Sequence, residues 1–223
     1  MSISTIKCNT VAVFDVDGTL IQNNIGVTLV KYLLKNKEVN FLPKIMILIS
    51  YPLYKAGLLD FKYAILMGAW ALAGKKIEII DDLANACFER DIKQTIYQQG
   101  IAEIKKRKEE GCFVVLATGA HLSIASIFSK YVGADYVVAT TSKVSNGKYT
   151  FEVNNPLPYR AGKRDLVFEY INKIHPNSTV AVYTDEEKDL PMLEHADVLI
   201  GVNADEIIAN YVKQKGGMLV NFS

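Results

Sequence analysis

The chain has 223 residues, half of them apolar and 22% charged, with a formal net charge of +1. That balance fits an ordinary soluble globular protein, either one sizeable domain or a core with a smaller insert. Neither a broad basic field nor an acidic tail is present, which argues against nucleic acid as a partner. The three cysteines, Cys8, Cys87 and Cys112, are an odd number without metal-like spacing. They read as reduced, mostly buried thiols of a cytosolic protein. Met1 to Asn9 lacks a charged stretch followed by a long apolar run, so no signal peptide is expected and the expected localisation is cytoplasmic.

In chain order, Thr10 to Phe14 is an apolar, β-branched run that reads as a buried strand. It leads into Asp15-Val16-Asp17-Gly18-Thr19-Leu20, two carboxylates two residues apart followed by a glycine turn. Ile25 to Lys35 is helical by period. Phe41 to Gln94 is almost wholly helix-like, with Phe61 to Ala73 and Lys76 to Glu89 separated by a plausible stop at Gly74. No strand pattern interrupts it, so residues 21–94 read as a helical insert between the first strand and the rest of a core at 1–20 and 95–223.

From Gly100 onward strand and helix alternate. Ile101 to Glu110 predicts a helix ending at Gly111, and Cys112 to Ala117 a buried strand. A helix over His121 to Tyr131 and a strand over Tyr136 to Ala139 follow. Ser142 to Val153 predicts a hairpin turning at Asn146-Gly147. Ala161 to Ile174 is a helix, Thr179 to Tyr183 and Val198 to Ile200 are strands, Ala204 to Lys215 is a helix and Met218 to Val220 a last strand. Strands separated by helices mean βαβ units and a largely parallel sheet. The fold class is therefore α/β, a three-layer α/β/α core with an all-α insert after the first strand.

Phe41 to Leu59, FLPKIMILISYPLYKAGLL, is apolar-rich but interrupted by Lys44, Pro52 and Lys55, so no spanning run exists. Two readings are open. One is a helix or helix pair buried against its neighbours, with Tyr51, Tyr54 and Trp70 as packing residues. The other is an apolar surface that touches lipid or a greasy substrate, its lysines reaching for headgroups. The second implies peripheral contact at the inner face of a membrane.

In a parallel sheet, the carboxyl ends of the strands are where ligands bind. Asp15 and Asp17 end the first strand, Thr118-Gly119 ends another, Lys163 opens a helix, and Thr184 to Asp189 follows a third strand. Together they supply several carboxylates, a hydroxyl and an ammonium in one cleft. Crowded acids need a cation, and oxygen ligands without histidine or thiolate select Mg²⁺. A carboxylate can attack phosphorus to give an aspartyl-phosphate, and a second acid can move the protons. Phosphoryl transfer needs little beyond in-line positioning and charge neutralisation.

DVDGTL, a strand ending in threonine, a Gly-Lys pair and an acidic DxxxD segment, in this order, resemble the haloacid dehalogenase superfamily. The helical insert resembles the cap of its phosphoserine-phosphatase-like branch. The resemblance spans the whole chain and implies a Mg²⁺-dependent phosphatase. It implies that Asp15 is the nucleophile and a metal ligand, and that Asp17 is the general acid/base with its carbonyl on the metal. Thr118 would bind the phosphoryl group. Lys163, preferred to its neighbour Arg164, would stabilise Asp15. Asp185 would hold the metal and Asp189 would orient that shell. Gly119, His121 and Asn24 are the further candidates for substrate contact, while His175 and His195 read as structural.

Two departures stand out. The family's fourth motif usually begins Gly-Asp, and here it reads Thr184-Asp185-Glu186. This leaves open a catalytically weakened protein that binds a phosphorylated ligand or partner. A phosphotransferase is a further alternative. Ile21 to Asn24 holds no acid where phosphoserine phosphatases carry the glutamate that reads the substrate ammonium, so phosphoserine is disfavoured. Helical-cap relatives include enzymes acting on phosphatidylglycerophosphate, which makes a phospholipid precursor an expected substrate beside small phosphorylated metabolites. Nothing in the sequence specifies an oligomeric state.

Overall fold

The structure is a computed structural model that describes residues 9–223. Cys8 and the stretch inspected for a signal peptide fall outside them, apart from Asn9. Strand β1 (Thr10–Asp15) leads into four helices, α1 (Ile25–Lys35), α2 (Phe41–Lys55), α3 (Phe61–Trp70) and α4 (Ile77–Cys87). Helix α5 (Gln98–Glu109), strand β2 (Phe113–His121), helix α6 (Leu122–Val132) and strand β3 (Tyr136–Thr140) follow. The hairpin β4 (Ser142–Ser145) and β5 (Lys148–Val153) precedes α7 (Ala161–Ile174) and β6 (Thr179–Thr184). The chain closes with α8 (Leu190–Leu193), β7 (Val198–Val202), α9 (Glu206–Gln214) and β8 (Met218–Val220).

Six strands pair in the order β3-β2-β1-β6-β7-β8, all parallel. The chain leaves β1 toward β2 and β3 on one side, then returns to add β6, β7 and β8 on the other. The order therefore reverses beside β1, the position where open α/β sheets bind ligands. The register pairs Asp15 with Ala117 and Phe14 with Tyr183. It brings the ends of β1, β2 and β6 level at one edge.

Alternation along each strand splits the core into two layers. Phe14, Val114, Leu116 and Tyr183 pack with α5, α6 and the insert helices. Val11, Val13, Val115 and Val182 pack with α7, α8 and α9. The first layer is continuous from Phe14 in the sheet to Leu33, Ile47 and Ile80 of the insert. The insert thus shares the core of the sheet.

Local chemistry sets the ends of the elements. Asn24 accepts the Val27 N–H at 2.8 Å and starts α1 where predicted. The last helix begins at Glu206 instead of Ala204 because Asp205 caps it, accepting the Ile208 N–H at 2.8 Å. Helix α6 starts at Leu122, after His121, whose Nδ1 accepts the Ser123 N–H at 3.2 Å. Asn146 and Gly147, both at positive φ, close the predicted hairpin. Helix α4 stops at Cys87, short of Glu89, and widens into a π-helical turn at Phe88–Ile92 that buries both of those residues. Cys87 and Cys112 are buried, as expected.

The segment 41–59 corrects one of its two readings. The expected helix or helix pair buried against its neighbours is a single helix only partly so: α2 packs on α3 with Pro43 and Ile47 buried but leaves Phe41, Leu42, Leu48 and Ile49 exposed. Tyr51 is exposed as well, while Tyr54 and Trp70 pack partly buried as expected. Among the described residues no helix is long and apolar enough to cross a membrane.

Candidate active site

The strand ends open into a cavity of about 520 Å³, with Asp15, Asp17, Lys163 and Asp189 at its polar end. Asp15 closes β1 and is buried. One of its carboxylate oxygens takes a hydrogen bond from Lys163 Nζ, while Oδ2 is buried without a hydrogen-bond partner among the described residues. Burial pushes the Asp15 carboxyl well above the usual range, although Lys163 pulls it down. Lys163 Nζ also donates to Asp189 Oδ2 at 2.7 Å. Burial alone would lower the lysine, but the two carboxylates hold it above its ordinary value. Arg164 is turned outward, on Asp165, so Lys163 is the helix residue that reaches the site.

Asp17 is held apart from this cluster. Its Oδ1 accepts the Ile25 N–H at 2.7 Å and its Oδ2 the Thr118 hydroxyl at 3.2 Å. Burial pushes the carboxyl up to about 6, against these two bonds, which lower it. Thr118 Oγ1 accepts the Ala120 N–H at 3.0 Å, within the last residues of β2, where its register with β3 shifts between Ala117 and His121. The two aspartates of one tripeptide therefore sit in different environments: one faces an ammonium and the other faces hydrogen-bond donors.

Asp185 follows β6. Its Oδ1 accepts the Thr19 hydroxyl at 2.8 Å, and burial raises it to about 6, with the Thr19 bond opposing. Gly18 has φ +91, and a Cβ there would stand 2.1 Å from Asp185 Oδ2. The glycine of the first motif thus leaves the space that Asp185 occupies. The departures in the fourth motif have local partners. Thr184 is buried and donates to Asp189 Oδ2 at 2.9 Å. Glu186 accepts from Lys188 Nζ at 2.7 Å.

The remaining candidates divide. Gly119 lies on the wall, and a Cβ there would meet Ile65 of α3 at 3.0 Å. Asn24 lines the cavity too, but its carbonyl oxygen is taken by the cap of α1. His121 is buried, and burial pushes its ring down to about 4, so it is neutral. Because Nδ1 accepts the Ser123 N–H, the ring proton is assigned to Nε2, which has no hydrogen-bond partner among the described residues. His175 packs on Phe113 and His195 Nδ1 lies 3.0 Å from the Pro191 carbonyl, in keeping with structural roles.

Sequence reasoning did not find Thr19 or the rim. Thr19 is read only through its bond to Asp185. At the rim, Lys188 Nζ lies 3.9 Å from the centre of the Phe61 ring, tying the acidic loop to the insert. Arg160 lines the cavity with φ +49 and ψ −124, a backbone conformation costly for a residue with a Cβ. No periodicity marks such contacts, because they join positions far apart in the chain.

A family model described as haloacid dehalogenase-like hydrolase matches residues 12–194. The chain belongs to this family. A probable phosphatase of Mycobacterium tuberculosis is 27% identical over 155 residues, covering 68% of this chain and 53% of that protein. The chain thus aligns to about half the length of this curated relative. Among solved structures, a protein of unknown function from Bordetella pertussis Tohama I superposes with a TM-score of 0.85 at 17% identity, covering 96% of this chain and 99% of that one. A phosphoserine phosphatase, solved as a phospho-aspartyl intermediate analogue, superposes with a TM-score of 0.62 at 21% identity, over 96% and 93% of the two chains. The fold, including the helices between the first two strands, is that of the phosphoserine phosphatase structures.

Proposed function

We propose that this family member is a phosphomonoester hydrolase that works through an aspartyl-phosphate on Asp15. The observation that carries the proposal is the buried Asp15 oxygen without a partner, beside Lys163, at the floor of the cavity. A buried carboxylate oxygen left open is expensive unless an electrophile or cation completes it. Asp15 attacks phosphorus and the ester oxygen leaves. Asp17, raised to about 6, is near the ideal for giving a proton to that oxygen and later taking one from water. The backbone N–H groups that follow Thr118 hold the phosphoryl oxygens, joined by the Thr118 hydroxyl only when it turns from Asp17, and Lys163 balances their charge.

The donor set suits Mg²⁺. The carboxyls of Asp17, Asp185 and Asp189 all act on the Asp15 carboxyl to raise it, so a cation relieves their repulsion. Among the described residues no cluster of three acidic, histidine or cysteine side chains forms a cage. Mg²⁺ is instead held by one or two carboxylates with phosphate and water oxygens. Asp15 and Asp185, with the Asp17 carbonyl, are the groups that would hold it. When bound, it would supply charge neutralisation for the transferred phosphoryl group.

Opposite the acids, α1, α2 and α3 line the cavity with Leu29, Val30, Ile47, Leu48, Ile65 and Met67. Such walls favour a phosphomonoester whose body is apolar, such as a phospholipid precursor, over a small polar metabolite. The test is turnover of an aryl phosphate with and without Mg²⁺, in the native chain and in Asp15→Asn. Metal-dependent hydrolysis that falls at least about 10³-fold in the variant is expected. Equal activity of the variant, or activity indifferent to a chelator, overturns the mechanism.

A further inference from the structure

Helix α2 divides its circumference unequally. Pro43, Ile47 and Tyr54 turn inward, Met46 and Ser50 are half-buried, and Phe41, Leu42, Ile45, Leu48, Ile49, Tyr51 and Leu53 are exposed. Phe41 is 80% exposed, Ile49 62%, Leu48 59% and Leu42 57%. Their spacing (i, i+1, i+7, i+8) places them on one side of a helix. Leu58, in the turn after α2, extends the surface. Soluble proteins rarely leave a contiguous apolar patch of this kind without a use for it. At about 1.5 Å per residue, the 15-residue helix is about 22 Å long. That is too short to cross a hydrocarbon core of about 30 Å, but it suits a helix lying in an interface.

Charge identifies the occupant. Between Ile25 and Lys75 the chain has seven lysines against two acids, Glu38 and Asp60. This segment is strongly cationic in a chain whose total is +1. Between Asn40 and Leu59 there is no acid at all. Lys31, Lys35, Lys37, Lys44 and Lys62 are exposed. Lys44 lies on α2 itself and Lys31 lines the same cavity as Leu48 and Tyr51, so an apolar face in a segment rich in exposed lysines complements an anionic lipid surface, where the face enters the acyl boundary and the ammonium groups stay with the headgroups. The cavity opens on the same side: Leu48 and Tyr51 are exposed on α2 and also line its wall.

The geometry points to α2 and the turn at Leu58 as a docking face for an anionic lipid bilayer, with the cavity mouth turned toward the membrane. The contact does not depend on catalysis and is scored without turnover. The full chain is floated with vesicles of phosphatidylcholine alone and of phosphatidylcholine with phosphatidylglycerol. Flotation with the anionic vesicles at least about tenfold above that with neutral ones, falling as salt is raised, is expected. The double change Leu42→Asp with Ile49→Asp, at positions outside the cavity, should abolish it while the circular dichroism spectrum stays native. Lys35→Glu with Lys44→Glu, which leaves the apolar face intact, should lower it severalfold. Absence of flotation, equal flotation with both vesicles, or flotation unaffected by both variants overturns the proposal. So does a chain that stays off vesicles and forms dimers sensitive to Leu42→Asp with Ile49→Asp, which would assign the face to a second copy.

Discussion

The two sides of the cavity are specified in opposite ways. On the sheet side, directional contacts hold the polar groups and leave one Asp15 oxygen open: Asp17 rests on Ile25 and Thr118, Asp185 on Thr19, Asp189 on Thr184 and on the Lys163 it shares with Asp15. On the insert side, Leu29, Val30, Ile47, Leu48, Ile65 and Met67 contribute shape and dryness without directional contacts. Directional contacts tolerate few residue types, so under the proposed function the sheet side is where reaction chemistry would be fixed. Apolar walls tolerate many, so under the proposed function substrate choice would fall to the insert side. Substitutions on the sheet side should therefore change turnover for every substrate, and substitutions on the insert side should separate substrates.

The largest effect after loss of Asp15 itself is expected at Gly18. Gly18→Ala would force a methyl group into the space of Asp185 Oδ2 and strain a backbone at φ +91. Moving a catalytic group by about 1 Å costs about 10²-fold in rate, so kcat should fall by about that factor with both small and apolar phosphates. A loss confined to apolar substrates would remove Asp185 from the reaction.

An insert-side change should do the reverse. Leu34 lines the cavity from α1, and Leu34→Ser shortens and polarises that wall. KM for decyl phosphate should rise about tenfold, in line with one to a few lost methylene contacts, while glycerol phosphate kinetics stay level. Equal changes for both substrates would mean that the apolar wall does not read the substrate.

Much of the sheet side was legible in the sequence because its groups sit at strand ends, where alternation and glycine turns announce them. Asp15, Asp17, Thr118 and Asp185 are brought to one edge by the parallel register of β1, β2 and β6, and Lys163 reaches them from the first turn of α7. The bond from Thr19 to Asp185 was not legible, since 166 positions separate the two residues. The insert was legible as helices and not as a surface. A run such as Phe41 to Leu59 has the same composition whether its outer side is covered or bare, and only tertiary packing tells them apart. His121 shows the same limit at one residue. Its candidacy rested on proximity to Thr118, while its burial and its capping bond to Ser123 are properties of the fold.

Thr184 tests whether the altered fourth motif is a defect or a working part. Thr184→Val keeps shape and removes the hydroxyl that donates to Asp189. Loss of one buried hydrogen bond to a charged group should destabilise the protein by about 1–3 kcal/mol in chemical denaturation. kcat should drop by less than an order of magnitude, because Lys163 still holds Asp189. Unchanged stability would make Thr184 incidental.

The smallest expected effect is a slope with pH, and it reports the acid cluster directly. Burial raises Asp17 and Asp185 to about 6 in the folded chain, and raises Asp15 in the same direction, whereas an unfolded aspartate titrates near 3.9. The folded state therefore binds these protons more tightly than the unfolded state does. Their contribution favours folding below about pH 4 and is lost as pH rises through about 6. With the metal chelated, the melting temperature should fall between pH 4 and pH 7 more steeply in the native chain than in Asp185→Asn, which lacks one of the titrating groups. Mg²⁺ should raise it more at pH 7 than at pH 5, because a cation binds carboxylates only once their protons have left. Parallel melting curves for the two chains, with no metal effect at pH 7, would mean that the acids at the strand ends neither repel one another nor share a cation. The contrast between a charged floor and an apolar wall would then lose its energetic basis.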